Sequence, residues 1–168
     1  MTLSERWNYQ RGITNQLPVK AIRIVYAASG TLPAALVLRD ERAIVEHKLY
    51  WAGAASEAEA QFLTAILNSE TARIRTERYQ SRGQFGARDF DKVIFNLPIP
   101  VFDASIKLHS DLAALSAHAE EVAAQVELPD AERFVAARQR VRRALIEEGV
   151  AADIEKAVEK LLGPEPAR

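Results

Sequence analysis

The spacing of hydrophobic positions changes along this chain, from alternation in the first part to helical periodicity in the last. Segments rich in β-branched and aromatic residues predict three short strands, at 20–29, 34–39 and 43–51. Ile22, Ile24 and Tyr26 share one face of the first strand. Turn residues separate the three segments, so we expect a small antiparallel sheet.

A helix is predicted directly after the third strand. Ser56 and Glu59 have the spacing of a capping box, in which each side chain accepts from a backbone N–H at the helix start. The apolar stripe that follows consists of Phe62, Leu63, Ile66 and Leu67. Asn68-Ser69 is expected to interrupt this helix, and the segment 71–80 to continue it.

The last third of the chain predicts three more helices. The first covers 105–126, and its apolar positions recur at intervals of four and three, which is typical of a coiled-coil seam. That seam comprises Leu108, Leu112, Leu115, Ala119, Val122 and Val126. A second helix, from Pro129 to Glu148, is expected to turn Phe134, Ala137, Val141 and Leu145 inward. A third, at 151–162, carries Ile154, Ala157, Val158 and Leu161.

These elements predict an α+β fold, in which a small antiparallel sheet with a packed helix is followed by a helical C-terminal arm. Because composition changes near residue 103, we place a boundary there. An α+β domain is predicted at 1–103 and the helical arm at 104–168.

Composition excludes several functional classes. The 168 residues carry a net charge of -1, so a nucleic-acid partner has to be argued from local charge. The chain has no cysteine, which excludes disulfides, thiolate metal sites and cysteine nucleophiles, and fits a cytoplasmic location. No apolar run is long enough to cross a membrane, and the N-terminus lacks the apolar core of a signal peptide.

The stretch Asn96-Leu97-Pro98-Ile99-Pro100 invites comparison with the Asn-Pro-Pro-aromatic loop of adenine N6-methyltransferases. Its prolines are not adjacent, no aromatic follows in the stacking position, and the chain has no glycine-rich loop to hold S-adenosylmethionine. We interpret it as a stiff extended connector. Without any nucleophile–base–acid set or cofactor motif, we expect no cofactor and no catalysis by this chain alone.

The segment 73–88 holds five arginines and one acid. Arginine neutralises phosphates, and arginine and glutamine make bidentate contacts with purines. The alternative is a solvated helix face with salt bridges to neighbouring acids. A second basic cluster fits a solvated helix face, and the alternatives are phosphate contact or pairing with a partner helix. It comprises Arg133, Arg138, Arg140, Arg142 and Arg143.

Several segments occur in an order that resembles the C-terminal, target-recognition-like region of bacterial adenine-N6 DNA methyltransferases of the type IIG-like kind. Ala60–Ser69 (AQFLTAILNS) resembles a helix of their recognition domains. A glycine-containing loop at 83–86 and the LPIP segment 97–100 follow in the family's order. Phe102-Asp103-Ala104-Ser105, with Leu108-His109, resembles the run that opens the family's long helix.

This resemblance, over about 20–162, implies a non-catalytic DNA-binding module of a methyltransferase or restriction–modification system. Double-stranded DNA and a methyltransferase catalytic domain or subunit would be its partners. The residues expected to contact DNA are Arg75, Arg78, Arg82, Gln84 and Arg88. The alternative is a protein-interaction domain that docks, or forms a homodimer, through its C-terminal helices.

Overall fold

Three strands form an antiparallel sheet in the order β2–β1–β3. They are β1 (Arg23–Ala27), β2 (Ala35–Leu38) and β3 (Leu49–Gly53). The computed structural model describes residues 2, 5–6, 8–27, 34–46, 48–79, 82–83, 86–87, 91–130 and 133–164. The predicted antiparallel sheet is confirmed.

The third strand begins later than predicted. It was expected at 43–51, whereas β3 begins at Leu49 and 43–46 has no strand structure. The Gln16 side-chain amide donates to the Val45 carbonyl over 2.9 Å and accepts from the Val45 N–H over 2.8 Å. Since the backbone of Val45 is paired with a side chain, this segment does not need a neighbouring strand.

The central strand β1 alternates its hydrogen bonds between its two neighbours. Ile24 lies opposite Ala52 of β3, and just beyond the strands the Ala54 N–H donates to the Ile22 carbonyl over 3.1 Å. Pairs that exchange main-chain hydrogen bonds alternate with pairs that do not in an antiparallel ladder. The hydrogen-bonded pairs of β1 and β3 are therefore those formed by even-numbered residues. The odd-numbered residues of β3, such as Trp51, therefore direct their main-chain groups away from β1.

The two faces of β1 are covered differently. Ile24 and Tyr26 join the main hydrophobic core. On the other face the Arg23 side chain is buried, 1% exposed, and its Nη2 donates to the carbonyls of Asp40 and Ala43 over 2.7 and 2.9 Å. Arg23 thus fixes the turn after β2 against the sheet.

Two consecutive helices follow β3, namely α1 (Glu57–Asn68) and α2 (Glu70–Glu77). The predicted capping box is present: Ser56 Oγ accepts from the Glu59 N–H over 3.1 Å. Glu59 accepts in turn from the Ala55 N–H over 2.6 Å, one residue before the usual partner. Ser69 separates the helices as predicted, and its Oγ accepts from the Ala72 N–H over 3.0 Å at the start of α2.

The C-terminal part contains α3 (Lys107–Ala124), α4 (Phe134–Glu147) and α5 (Val150–Leu162). All three predicted helices are present. The buried face of α3 is not the predicted seam: of its six members only Leu112 is fully buried, and Val126 lies beyond the helix end. The buried residues are His109, Leu112, Ala113 and Ser116. Small residues on this face let α3 approach α1, where Ser116 Oγ donates to Gln61 Oε1 over 2.7 Å.

The prediction that Phe134 points inward is wrong. Its side chain is 78% exposed, and none of the residues of α4 is buried. α4 and α5 form a hairpin about the turn at Gly149, whose φ of 82° is the left-handed conformation that favours glycine. Phe134 is the first residue of α4, at the end of the helix remote from that turn.

One hydrophobic cluster joins the sheet to the C-terminal helices. It includes Ile24 of β1, Phe62 and Ile66 of α1, Leu112 of α3 and Val158 of α5. The mixed α+β class is confirmed, with the C-terminal helices packed back onto α1. The boundary at 103/104 stays a prediction, because shared packing does not show whether either part folds alone.

Candidate nucleic-acid interface

The first arginine of the basic segment is neutralised within its own helix. Arg73 donates to both carboxylate oxygens of Glu70, over 2.8 and 2.5 Å, and to Glu77 over 3.0 Å. The bonds to Glu70 raise the pKa of Arg73, and those from Arg73 lower the pKa of Glu70, with a further contribution from the charge of Arg142. Arg73 therefore adds little net positive charge to a surface for phosphates.

Arg75, a predicted DNA-contact residue, lies against the end of α5. Its guanidinium donates to the carbonyls of Leu162 and Gly163 over 3.1 and 2.6 Å. These are carbonyls at the helix C-terminus, where backbone acceptors lack helical partners and the dipole favours a cation. The structure gives Arg75 a role in holding α5 to α2.

Glu155 makes the reciprocal contact from α5 to the first turn of α2. Its carboxylate accepts from the N–H groups of Glu70 and Thr71 over 2.5 and 3.0 Å, and from Thr71 Oγ1 over 2.9 Å. The helices thus cap each other's ends, an anion at the N-terminus of one and a cation at the C-terminus of the other. The predictions missed this pair because its members lie 84 and more residues apart.

The remaining predicted contact residues follow α2. Arg78 is the exposed C-cap residue of that helix, and Arg82 belongs to a short ladder between β4 (Arg82–Gly83) and β5 (Gly86–Ala87). Its antiparallel register pairs Arg82 with Ala87 and Gly83 with Gly86, so only two residues separate the strands. Gln84 and Arg88, like the Arg82 side chain, lie outside what the structure describes.

The hairpin β4–β5 adjoins elements that are anchored in the core. Asp91–Asn96 forms a 3-10 helix, with Ile94 buried. Leu97 is also buried, and Pro98 to Pro100 has the irregular backbone of the predicted connector. Asn96 is exposed and Leu97 is buried in the core. The stretch 96–100 therefore links the hairpin β4–β5 to α3.

Histidine chemistry does not contribute to this surface in the described part of the chain. His109 is 4% exposed, its ring lies 4.8 Å from that of Phe62, and its Nδ1 accepts from the Asp103 N–H over 3.1 Å. His118 is nearly half exposed, and His47 lies outside the described residues. No group of three or more histidines and carboxylates in the described ranges could hold a metal ion.

The second basic cluster occupies the outward side of α4. All five of its arginines, at positions 133, 138, 140, 142 and 143, are exposed. Val135 and Ile146 on the same helix are 66% and 64% exposed. This combination of cations and apolar side chains fits a protein partner better than a phosphate backbone alone, because phosphate contacts do not bury apolar groups.

A network of charged side chains joins β2, α1 and α3. Arg39 donates to both oxygens of Glu120 over 2.7 and 2.8 Å, and it also bonds Glu57. Gln61 donates to the same Glu120 carboxylate. The hydrogen bond from Arg39 is the main cause that holds the pKa of Glu120 below its usual range. No sequence pattern predicted this network, which brings together parts of the chain 81 residues apart.

The structure defines a mixed α+β chain with a short two-stranded hairpin between Arg82 and Ala87. Comparison with protein-family models, curated proteins and solved structures gives no match. Within the described residues, none of the helices is both long and apolar enough to cross a membrane. The function is therefore argued from the site.

Proposed function

We propose that this chain is a non-catalytic DNA-binding module, of the kind that recognises targets for a methyltransferase or restriction–modification system in the cytoplasm. The observation that carries the proposal is the β4–β5 hairpin. Its register pairs Arg82 with Ala87. Along the sequence Gln84 lies between the two strands and Arg88 directly follows the second, so three of the predicted contact residues belong to one short segment.

The anchoring of the hairpin supports this function. A recognition element has to be presented from a rigid frame, and here α2 precedes the hairpin while the 3-10 helix and the buried Leu97 follow it. Arg78 lies next to the hairpin on the exposed side of the α2 terminus. Arg75 adds to the local positive potential while it remains bound to α5.

The test is fluorescence anisotropy with a mixed-sequence duplex of about 30 base pairs at about 50 and about 200 mM salt. Phosphate neutralisation predicts affinity that falls steeply with salt, with a log–log slope of about -3 or steeper. The double variant Arg78→Glu/Arg82→Glu should lose binding at the lower salt. Arg42→Glu is the matched control, because that arginine is 93% exposed on the turn after β2 and far from the hairpin in sequence.

Equal binding by the hairpin variant and the wild type would overturn the hairpin assignment. An absence of binding by the wild type at low salt would overturn the DNA module itself.

A second candidate function is favoured by the exposed face of α4. Phe134, Val135 and Ile146 are exposed on a helix that also carries exposed arginines, which fits a docking domain that binds an acidic, apolar helix of a protein partner. Charge reversal at Arg138 and Arg142 should abolish that association and leave DNA binding intact.

A further inference from the structure

We propose that the outer edge of β3 pairs with the same edge of a second copy of this chain, so that two three-stranded sheets join into one of six strands. The inference begins with main-chain hydrogen bonds. β3 is an edge strand, and its odd-numbered residues direct N–H and C=O groups outward. In the described part of the chain, the outward groups of Trp51 and Gly53 have no main-chain or side-chain partner.

The opposite edge of the sheet is treated differently. There the Asn68 side chain donates to the Ala35 carbonyl and accepts from the Ala35 N–H, each over 2.8 Å. The Asn68 amide thus takes the place of a neighbouring strand on β2 and leaves Val37 as the outward residue of that edge. The Asn68 amide therefore covers part of the β2 edge, whereas no side chain in the described part of the chain pairs with the main chain of Trp51 and Gly53.

The sequence of β3 lacks the features that usually block an edge. Leu49–Gly53 contains no charge and no proline, and its ends are partly or fully exposed. Such an edge is a template for strand addition.

A twofold axis at Ala52 satisfies the free groups of both copies. Trp51 of one copy then lies opposite Gly53 of the other, and the two residues exchange both N–H···O=C bonds. The symmetry repeats the pair, so four hydrogen bonds form. Every outward main-chain group of Trp51 and Gly53 in the two copies takes part in one of them.

Side chains agree with this register. Residues directly opposite each other extend to the same face of a sheet, so the Trp51 ring of one copy would lie on the face of Gly53 of the other, beside the Lys20 side chain. Lys20 is close to that position, since a Cβ added at Gly53 would lie 3.0 Å from its Cγ. The Lys20 ammonium is complementary in charge to the face of an indole ring. A second copy therefore fits this edge in hydrogen bonding and in charge.

The test is sedimentation equilibrium of the whole chain over about a hundredfold range of concentration. The wild type should be a dimer at the upper end. Ala52 is exposed and would meet its own copy at the axis, so Ala52→Lys should raise the dimer dissociation constant at least about tenfold through repulsion of like charges. Ala52→Glu should do the same, and an equimolar mixture of the two variants should form heterodimers.

The matched control is Leu36→Lys on the opposite edge strand, whose side chain is 52% exposed. It should leave the dimer unchanged. A wild type that is monomeric throughout, or Ala52 variants that dimerise as well as the wild type, would overturn the proposal. Failure of the mixed variants to associate while both remain folded by circular dichroism would overturn it as well. DNA binding can succeed or fail independently, because β3 and the hairpin β4–β5 belong to separate sheets.

Discussion

Single side chains determine how the last helix is attached. Glu155 accepts three hydrogen bonds at the start of α2, while Arg75 donates two at the end of α5. Neither contact resembles a local capping motif, since each joins residues more than eighty positions apart. The sequence predicts a DNA contact for Arg75 and no role for Glu155.

We expect Glu155→Ala to lower the free energy of unfolding by about 1 to 2 kcal/mol, because two N–H groups of α2 and the Thr71 hydroxyl lose their acceptor. Urea denaturation monitored by circular dichroism measures this. Lys160→Ala on the exposed side of the same helix is the control and should change the midpoint little. Equal midpoints for the two variants would show that the cap contributes nothing.

Glu120 predicts a dependence of stability on pH. The bond from Arg39 lowers its pKa in the folded state, so the stabilisation is present above the ordinary value of 4.5 and is lost as pH falls through the lower folded value. Solvent screening keeps the effect small, because both side chains are nearly half exposed. Glu120→Gln should therefore be less stable than the wild type at neutral pH and lose less stability between neutral pH and about pH 3.

The measurement is the urea midpoint at the two pH values. Glu127→Gln, in the exposed link between α3 and α4, serves as the control and should follow the wild type. If Glu120→Gln and the wild type lose the same stability on acidification, the role assigned to the Arg39 bond is contradicted.

At the scale of elements, the local signals were sufficient to place most helices and strands. The Ser56 capping box and the Ser69 interruption act over a few residues, and each is observed where predicted. The third strand was placed too early because Val45 pairs with Gln16, which lies 29 residues away. A pattern of β-branched residues cannot show that a side chain will replace the neighbouring strand.

The burial of α3 and α4 gives a prediction at this scale. Leu112→Ala should destabilise the chain by about 2 to 5 kcal/mol, because Leu112 is 0% exposed and its loss leaves a cavity. Phe134→Ala should cost about 0.5 kcal/mol or less, since that ring is 78% exposed. Thermal or urea unfolding of both variants compares them directly, and a larger loss for Phe134→Ala would place the contact face of α4 elsewhere.

At the scale of the whole molecule, the sheet and the C-terminal helices share one hydrophobic core. The change in composition near residue 103 predicted where the helical part begins, and α3, α4 and α5 do follow that position. How they pack could not be predicted, because the heptad spacing of α3 fits a partner helix in another chain as well as α1 in the same chain. The outcome depended on small residues such as Ala113 and Ser116, which an apolar pattern does not emphasise.

We expect the fragment 1–103 to lack a cooperative unfolding transition, because Phe62 and Ile66 would lose the cover of Leu112 and Val158. Adding the separate fragment 104–168 should restore helical structure beyond the sum of the two spectra. A sharp transition for 1–103 alone would support two independently folding domains, as the change in composition suggests.

The engagement of Arg75 with the end of α5 carries a consequence for thermodynamic linkage. If a phosphate draws this guanidinium away, the carbonyls of Leu162 and Gly163 lose their donor, and the last turn of α5 becomes easier to open. The coupling free energy is the same in both directions. Conditions that open the last turn of α5 would therefore raise the affinity of the phosphate for Arg75 by the same factor. Faster amide hydrogen exchange in the last turn of α5 on addition of DNA would report that exchange of partners.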